Sequence, residues 1–199
     1  MIISINPENP QGRLLEKVAN LLRGGAIIAY PTDTQYGLGC DLSQKKPIER
    51  IYKVKQRSLK SPFSIICADL THISEYAVVS NFAYRTLRRL LPGPFTFVLP
   101  GTRLVPQMML TKRHEVGLRV PGHPVAIGLV QALGRPLINT SAKLDSEGQA
   151  MTIPQEIEEA FKGTVDAVID GGPVPGQPST IVSLVDDEPN ILRQGLGIF

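Results

Sequence analysis

Hydrophobic residues follow helical spacing in some segments of the chain and strand spacing in others. Between residues 14 and 22, leucine and valine recur at intervals of three and four, as on one face of an amphipathic helix. The pair Asn9-Pro10 is typical of a helix start and the pair Gly24-Gly25 of a helix end. We therefore expect the first helix to lie between these two pairs.

Further segments continue the alternation of helices and strands. A short strand precedes the first helix, and another helix begins near Pro47. The patterns also predict helices over residues 81–91, 124–133 and 154–161, and strands over residues 26–30, 63–68, 95–99, 116–120, 136–140, 167–169, 180–185 and 191–193. The closely spaced strands near the C-terminal end suggest antiparallel pairing. A mixed α/β fold is predicted.

The composition favours one domain over residues 1–199. With 199 residues, 42% of them hydrophobic, the chain can bury a single sizeable core. Cys40 and Cys67 are the only cysteines and form no paired framework, which favours a reducing compartment. No segment approaches the roughly 20 apolar residues of a membrane span. We expect a soluble, cytoplasmic protein with no membrane partner.

Positive charge is concentrated in one short stretch. Lys and Arg total 21 and Asp and Glu 18, so the net charge of +3 is too small to indicate nucleic-acid binding by itself. Between residues 45 and 60, however, seven cations face one acid, Glu49, and give a local charge of +6. The seven cations are Lys45, Lys46, Arg50, Lys53, Lys55, Arg57 and Lys60.

Lys55 continues the apolar stripe of the helix that begins near Pro47. Ile48, Ile51 and Tyr52 fall on one helical face. Lys55 is the next position on that face, so its side chain is predicted to point inward. A buried cation needs a partner or an anionic ligand. The alternative is that the stem of Lys55 packs while its ammonium group reaches water.

Two hydroxyl-rich segments follow predicted strands. Residues 31–40 form a turn-rich loop after the strand over residues 26–30, and with the cations of Lys55 and Arg57 they suggest an anion site. Thr140 and Ser141 lie at the end of another strand, a common ligand position in open α/β sheets. Alternatively, Ser141 could be a nucleophile, or the hydroxyl groups of Thr140 and Ser141 could cap local backbone groups.

Arg119 and Arg193 each end a predicted strand. Either guanidinium could clamp a carboxylate or a phosphate, or either could be an ordinary surface arginine. The three histidines and two cysteines have no metal-ligand spacing, so we predict no protein-bound metal. Neither GxxxxGK[ST] nor GxGxxG occurs, and nucleotide binding cannot be inferred from a common phosphate loop.

Six ordered segments resemble the YrdC-like family, and the similarity covers nearly the whole chain. The segments are PTDTQYGL at 31–38, KQR at 55–57, LPGPFT at 91–96, GLRVP at 117–121, TSA at 140–142 and STIV at 179–182. The resemblance implies an α/β (α+β) fold with a mixed, twisted sheet and flanking helices around a basic cavity.

The resemblance also implies a reaction. Well-understood members are threonylcarbamoyl-AMP synthases, which combine L-threonine, bicarbonate and ATP and release pyrophosphate; the product serves threonylcarbamoyl-adenosine modification of tRNA. ATP would be a substrate, accompanied by Mg²⁺, with no tightly bound cofactor. The carbamate of threonine must attack the α-phosphate, so the site must exclude water and neutralise developing charge.

Site residues can be carried over by motif. Thr34 and Arg119 resemble contacts to L-threonine, with Ser141 and Ser179 beside it. The implied nucleotide or phosphate contacts are Lys55, Arg57, Ser61, Lys143 and Arg193, of which Lys55 and Arg57 would be catalytic. Among these, Lys55 alone is also supported by its inward position on the predicted helix.

The chain departs from the synthase pattern at three positions. It has Ser141-Ala142-Lys143 where the synthases have Ser-x-Asn, and Ser61 and Ile66 where they commonly have Asn and His. Together with Phe63, this pattern is closer to the YciO branch of the family. Lys143 has only donors and a charge, so it could bind a phosphate or occupy the space of the nucleotide.

Three functions remain open on the sequence. The first is an ATP-using threonylcarbamoyl-AMP synthase or a weakened paralogue with the same pocket. The second is a YciO-type protein that binds tRNA or double-stranded RNA through its basic stretch, without efficient synthase activity. The third is a cavity that accepts a different small anionic metabolite.

Overall fold

The computed structural model describes residues 1–56, 63–143 and 149–199, and its strands form one sheet. The strands are β1 (Ile2–Ser4), β2 (Ile28–Tyr30), β3 (Gly37–Gly39), β4 (Ser64–Ile66), β5 (Phe95–Pro100), β6 (Glu115–Arg119), β7 (Leu137–Ser141), β8 (Ala167–Asp170), β9 (Thr180–Ser183) and β10 (Asn190–Arg193). Their order across the sheet is β1-β8-β2-β3-β7-β4-β6-β5-β9-β10.

The pairing of the strands is mixed. β8 pairs in parallel with both β1 and β2, β4 with β6, and β5 with β9. The remaining neighbours, including β9 and β10, are antiparallel. The predicted mixed α/β fold is therefore confirmed. The expected antiparallel pairing near the C-terminal end is confirmed for β9 and β10 and is wrong for β8.

Helices cover both faces of one half of the sheet. The helices are α1 (Gly12–Arg23), α2 (Lys45–Val54), α3 (Leu70–Tyr76), α4 (Asn81–Leu90), α5 (Pro124–Leu133) and α6 (Pro154–Ala160), with a short 3₁₀ turn at Gln107–Met109. α1 and α5 pack on the face of β2 that carries Ile28 and Tyr30. α6 packs on the other face, with Ala29.

In the other half of the sheet, the described residues bury one face of β5 in a hydrophobic core. Phe95, Phe97 and Leu99 of β5 enter the cluster that also contains residues of α2, α3 and α4. The alternate residues of β5, Thr96 and Val98, point to the opposite face because side chains alternate along a strand. That second face remains available for a polar site.

The first helix begins two residues later than predicted. Its N-cap is Gln11, and the expected start at Asn9-Pro10 is wrong. The side chain of Asn6 explains the difference, because its Oδ1 accepts hydrogen bonds from the backbone N–H groups of Glu8 and Asn9 and closes a turn there. The helix ends at Gly24, as predicted.

The sequence patterns missed β3 and α3. β3 consists of Gly-Leu-Gly, which has no strand signature. α3 has only seven residues, and its start is fixed by Asp69, whose carboxylate accepts a hydrogen bond from the N–H of His72. Among the residues that the structure describes, no helix is long and apolar enough to cross a membrane.

The packing of α5 yields a stability prediction. Leu129 is fully buried against α1, so Leu129→Ala should leave a cavity and lower the free energy of unfolding by about 2–5 kcal/mol. Gln131 is exposed on the same helix, and Gln131→Ala should change that free energy by less than about 0.5 kcal/mol. Urea denaturation measures both. Equal effects of the two substitutions would contradict this packing.

Candidate functional site

A cavity of about 360 Å³ opens on the polar face of the sheet. Thr96 and Val98 of β5 line it, beside Gly117 and Arg119 of β6. Further polar residues on its wall come from the loop before β3, from β4, β7 and β10, and from nearby loops: Thr32, Thr34, Gln35, Ser64, Thr111, Asn139, Thr140, Ser141, Lys143, Ser179 and Arg193. The cavity thus collects hydroxyl, amide and cationic groups from distant parts of the chain.

The loop before β3 is organised by one hydroxyl. Thr32 Oγ1 accepts hydrogen bonds from the N–H groups of Thr34 and Gln35, both at 3.2 Å. It also donates to the carbonyl of Gln35 at 2.6 Å, and it lies 3.0 Å from Thr34 Oγ1. These bonds hold the hydroxyl of Thr34, a predicted contact, at the cavity wall. The organising role of Thr32 was missed, although the hydroxyl-rich turn signalled it.

Arg119 is buried rather than a surface arginine, so the surface alternative is wrong. The residue is 3% exposed, and its Nη2 donates to Asp33 Oδ1 in an ion pair. Burial lowers the pKa of Arg119, while the charge and hydrogen bond of Asp33 raise it. The buried Nε of Arg119 has no hydrogen-bond partner among the described residues. Arg119 itself lines the cavity, so a cation with one unused, buried donor stands in the cavity wall.

Two further atoms near this ion pair are buried without a hydrogen bond to any described residue. They are Asp33 Oδ2 and His123 Nδ1. Burial lowers the pKa of His123, against the opposing effect of the Asp33 charge, so the imidazole favours its neutral form.

Lys55 points inward, as predicted. It lies at the C-terminal end of α2, is 9% exposed, and its Nζ donates to the carbonyl of Ser141 at 3.1 Å and to the carbonyl of Lys143. The alternative of an ammonium group in water is therefore wrong. Lys55 does not line the cavity itself. Its contacts join the end of α2 to the end of β7.

A hydrogen-bonded network runs from buried Tyr30 to two residues that line the cavity, Asn139 and Ser64. Tyr30 Oη donates to Asn139 Oδ1 at 2.8 Å, and Asn139 Nδ2 donates to Ser64 Oγ at 3.2 Å. Burial raises the pKa of Tyr30, so its phenol stays a neutral donor. A Cβ at Gly37 would lie 2.4 Å from Asn139 Oδ1, which explains the glycine in this motif. The sequence analysis missed the roles of Tyr30 and Ser64, because neither is among the ligand contacts that the family resemblance implied.

Ser179 links Thr96 of β5 to Arg193 of β10 at the cavity wall. Its Oγ lies 2.9 Å from Thr96 Oγ1, and its carbonyl accepts hydrogen bonds from Arg193 Nη2 at 2.8 Å and Nε at 3.2 Å. Thr34, Arg119, Ser141, Lys143, Ser179 and Arg193 therefore share one cavity, as the motifs suggested. The predicted residues Arg57 and Ser61 lie outside the described residues.

The cavity favours ligand binding by hydroxyl groups over nucleophilic catalysis by Ser141. No histidine occurs among the described residues that line it, so Ser141 has no imidazole base there. Within residues 1–56, 63–143 and 149–199, no group of three or more His, Cys, Asp or Glu could hold a metal ion.

Part of the basic stretch is engaged within the protein. Lys45 lies 3.7 Å from Glu49, and Arg50 Nη2 lies 3.5 Å from Asp166 Oδ2 and donates to the carbonyl of Thr164. Lys55 is buried. These contacts leave less free positive charge than the sequence suggested, and RNA binding stays a prediction.

The sequence matches relatives over nearly all of its length. It fits the profile of the Sua5/YciO/YrdC family, described as telomere recombination, over residues 20–195. YciO of Escherichia coli K12, an uncharacterized protein, is 39% identical over 194 residues, which are 97% of this chain and 94% of YciO. The threonylcarbamoyl-AMP synthase of Nitrosococcus oceani is 36% identical over 154 residues, which are 77% of this chain and 83% of the synthase.

Solved structures agree with the fold and the resemblance. The crystal structure of E. coli YciO matches with a TM-score of 0.94 and 38% identity, over 100% of this chain and 97% of YciO. Sua5 of Pyrococcus abyssi, complexed with L-threonine, matches with a TM-score of 0.90 and 30% identity, over 98% of this chain and 57% of Sua5. The predicted YrdC-like fold is confirmed, and the chain belongs to the Sua5/YciO/YrdC family.

Proposed function

We propose that this protein makes threonylcarbamoyl-AMP from L-threonine, bicarbonate and ATP, for threonylcarbamoyl-adenosine modification of tRNA. The observation that carries the proposal is the buried Arg119, whose Nε has no partner among the described residues and which lines a cavity rich in hydroxyl groups. A guanidinium is the preferred partner of a carboxylate. The related P. abyssi Sua5 structure contains L-threonine, which supports an amino acid as the ligand.

The cavity suits the chemistry of an adenylate synthase. In the proposed reaction, an oxygen of the threonine carbamate attacks the α-phosphate of ATP, and the bond to the pyrophosphate leaving group breaks. Hydroxyl groups of Thr34, Ser141 and Ser179 would orient the amino acid, while Lys143 and Arg193 would neutralise charge on the phosphates. Catalysis would rest on positioning and electrostatics, with no covalent intermediate on the protein.

Pyrophosphate release tests the proposal. In the presence of Mg²⁺, purified protein should release pyrophosphate from ATP only when both L-threonine and bicarbonate are present. The reason is that the nucleophile is the carbamate formed from these two substrates. Mass spectrometry should find threonylcarbamoyl-AMP in the same mixture. If ATP binds but no pyrophosphate appears with both substrates present, the proposed reaction is wrong.

Lys55 should affect turnover through the end of β7. Lys55→Met removes the donor to the carbonyls of Ser141 and Lys143, so we expect the free energy of unfolding to fall by about 1–3 kcal/mol. Displacement of Ser141 should also slow pyrophosphate release about 10- to 100-fold. Lys53 is exposed on the same helix and provides the matched control. Full turnover by Lys55→Met, equal to that of Lys53→Met, would contradict this role.

Lys143 distinguishes phosphate binding from occlusion of the nucleotide. Its backbone carbonyl accepts a hydrogen bond from Lys55 Nζ, and Lys143 lines the cavity. Lys143→Asn should therefore raise the apparent KM for ATP about tenfold, through the loss of one charged donor, while the KM for L-threonine stays unchanged. Steady-state pyrophosphate release measures both constants. Faster turnover at low ATP would instead show that Lys143 occupies the space of the nucleotide.

A further inference from the structure

Asp33 contacts a residue of the cavity wall without lining the cavity itself. Its Oδ1 accepts from Nη2 of Arg119, which does line the cavity. Asp33 is therefore placed behind Arg119, where it can act on a ligand only through the guanidinium.

The side chain of Asp33 lies in a narrow space. It follows Thr32, whose hydroxyl holds the next two backbone N–H groups and so fixes the turn that carries Asp33. On the other side, the backbone of Gly122 approaches so closely that a Cβ there would lie 3.2 Å from Asp33 Oδ2. Gly122 follows β6 by three residues, so one segment supplies both Arg119 and this close contact.

A fixed Asp33 also fixes the direction of the remaining donors of Arg119. The guanidinium is planar and its five N–H groups have a rigid geometry, so a bond at Nη2 restricts the direction of Nε–H. Arg119 is 3% exposed, and an unpaired buried cation would be strongly unfavourable. The ion pair therefore satisfies the charge of Arg119 and leaves its Nε donor without a partner among the described residues.

We propose that Asp33 is the positioning residue of the site: it holds the Arg119 guanidinium in one orientation at the cavity wall, where Arg119 can meet the carboxylate of an amino-acid ligand. The identity of that ligand rests on the proposed function, while the orientation of Arg119 by Asp33 does not. Because the Arg119–Asp33 pair is neutral overall, recognition at this point depends on direction more than on net charge.

Nuclear magnetic resonance of the arginine side chains tests the orientation directly. The Nε–Hε signal of Arg119 is assigned by its loss in Arg119→Lys. In the wild-type protein it should be separate from the signals of exposed arginines, with slow rotation of the guanidinium. Asp33→Asn should merge the signal with those of the exposed arginines and raise the dissociation constant for L-threonine at least about tenfold.

Asp41 provides the matched control. It is also a buried aspartate near an arginine, 3.7 Å from Arg135, but it does not line the cavity or contact Arg119. Asp41→Asn should lower thermal stability while leaving the Arg119 signal and the affinity for L-threonine unchanged. Equal changes of the signal in both variants would show general loosening and overturn the proposal.

The remaining outcomes separate this proposal from the proposed function. An averaged Arg119 signal in the wild-type protein overturns the positioning role, even if Asp33→Asn does not fold. If the Arg119 signal of Asp33→Asn merges with those of the exposed arginines while the affinity for L-threonine stays unchanged, the positioning role is overturned as well. If the wild-type protein binds no L-threonine, the proposed function fails, and the Arg119 signal in wild type and Asp33→Asn alone decides whether Asp33 orients the guanidinium.

Discussion

The ion pair of Arg119 and Asp33 is the interaction on which the architecture of the site depends. Arg119 is almost fully buried at the end of β6, and a cation in that position is tolerated only with a partner of opposite charge. The pair joins β6 to the loop before β3. Lys55 is a second buried cation of the fold, and its ammonium group donates to two backbone carbonyls at the end of β7.

The sheet provides the frame for these contacts. On β5, Phe97 faces the hydrophobic core while Thr96 and Val98 face the cavity. Period-two alternation thus lets one strand support a dry core and a polar site at once. The hydroxyl and cationic groups of the cavity are held by backbone that the core makes rigid, which suits a reaction that depends on positioning.

The sequence predicts the parts of this arrangement that depend on neighbouring residues. It does not predict the contacts between residues far apart in the chain. The inward direction of Lys55 follows from helical spacing over a few residues. The partner of Arg119 lies 86 positions away and that of Tyr30 lies 109 positions away, so both pairs depend on the order of strands in the sheet. No local pattern encodes that order. The late start of α1 likewise depends on a side-chain bond of Asn6 that competes with the expected cap.

Calorimetric titration with L-threonine tests most directly whether buried Arg119 builds an amino-acid site. We expect saturable binding of one L-threonine per wild-type chain and no detectable binding by Arg119→Leu. This substitution removes the guanidinium that would bind the carboxylate of L-threonine and places an apolar side chain at a buried position. Absence of binding by the folded wild-type protein, or equal binding by folded Arg119→Leu, would contradict the account.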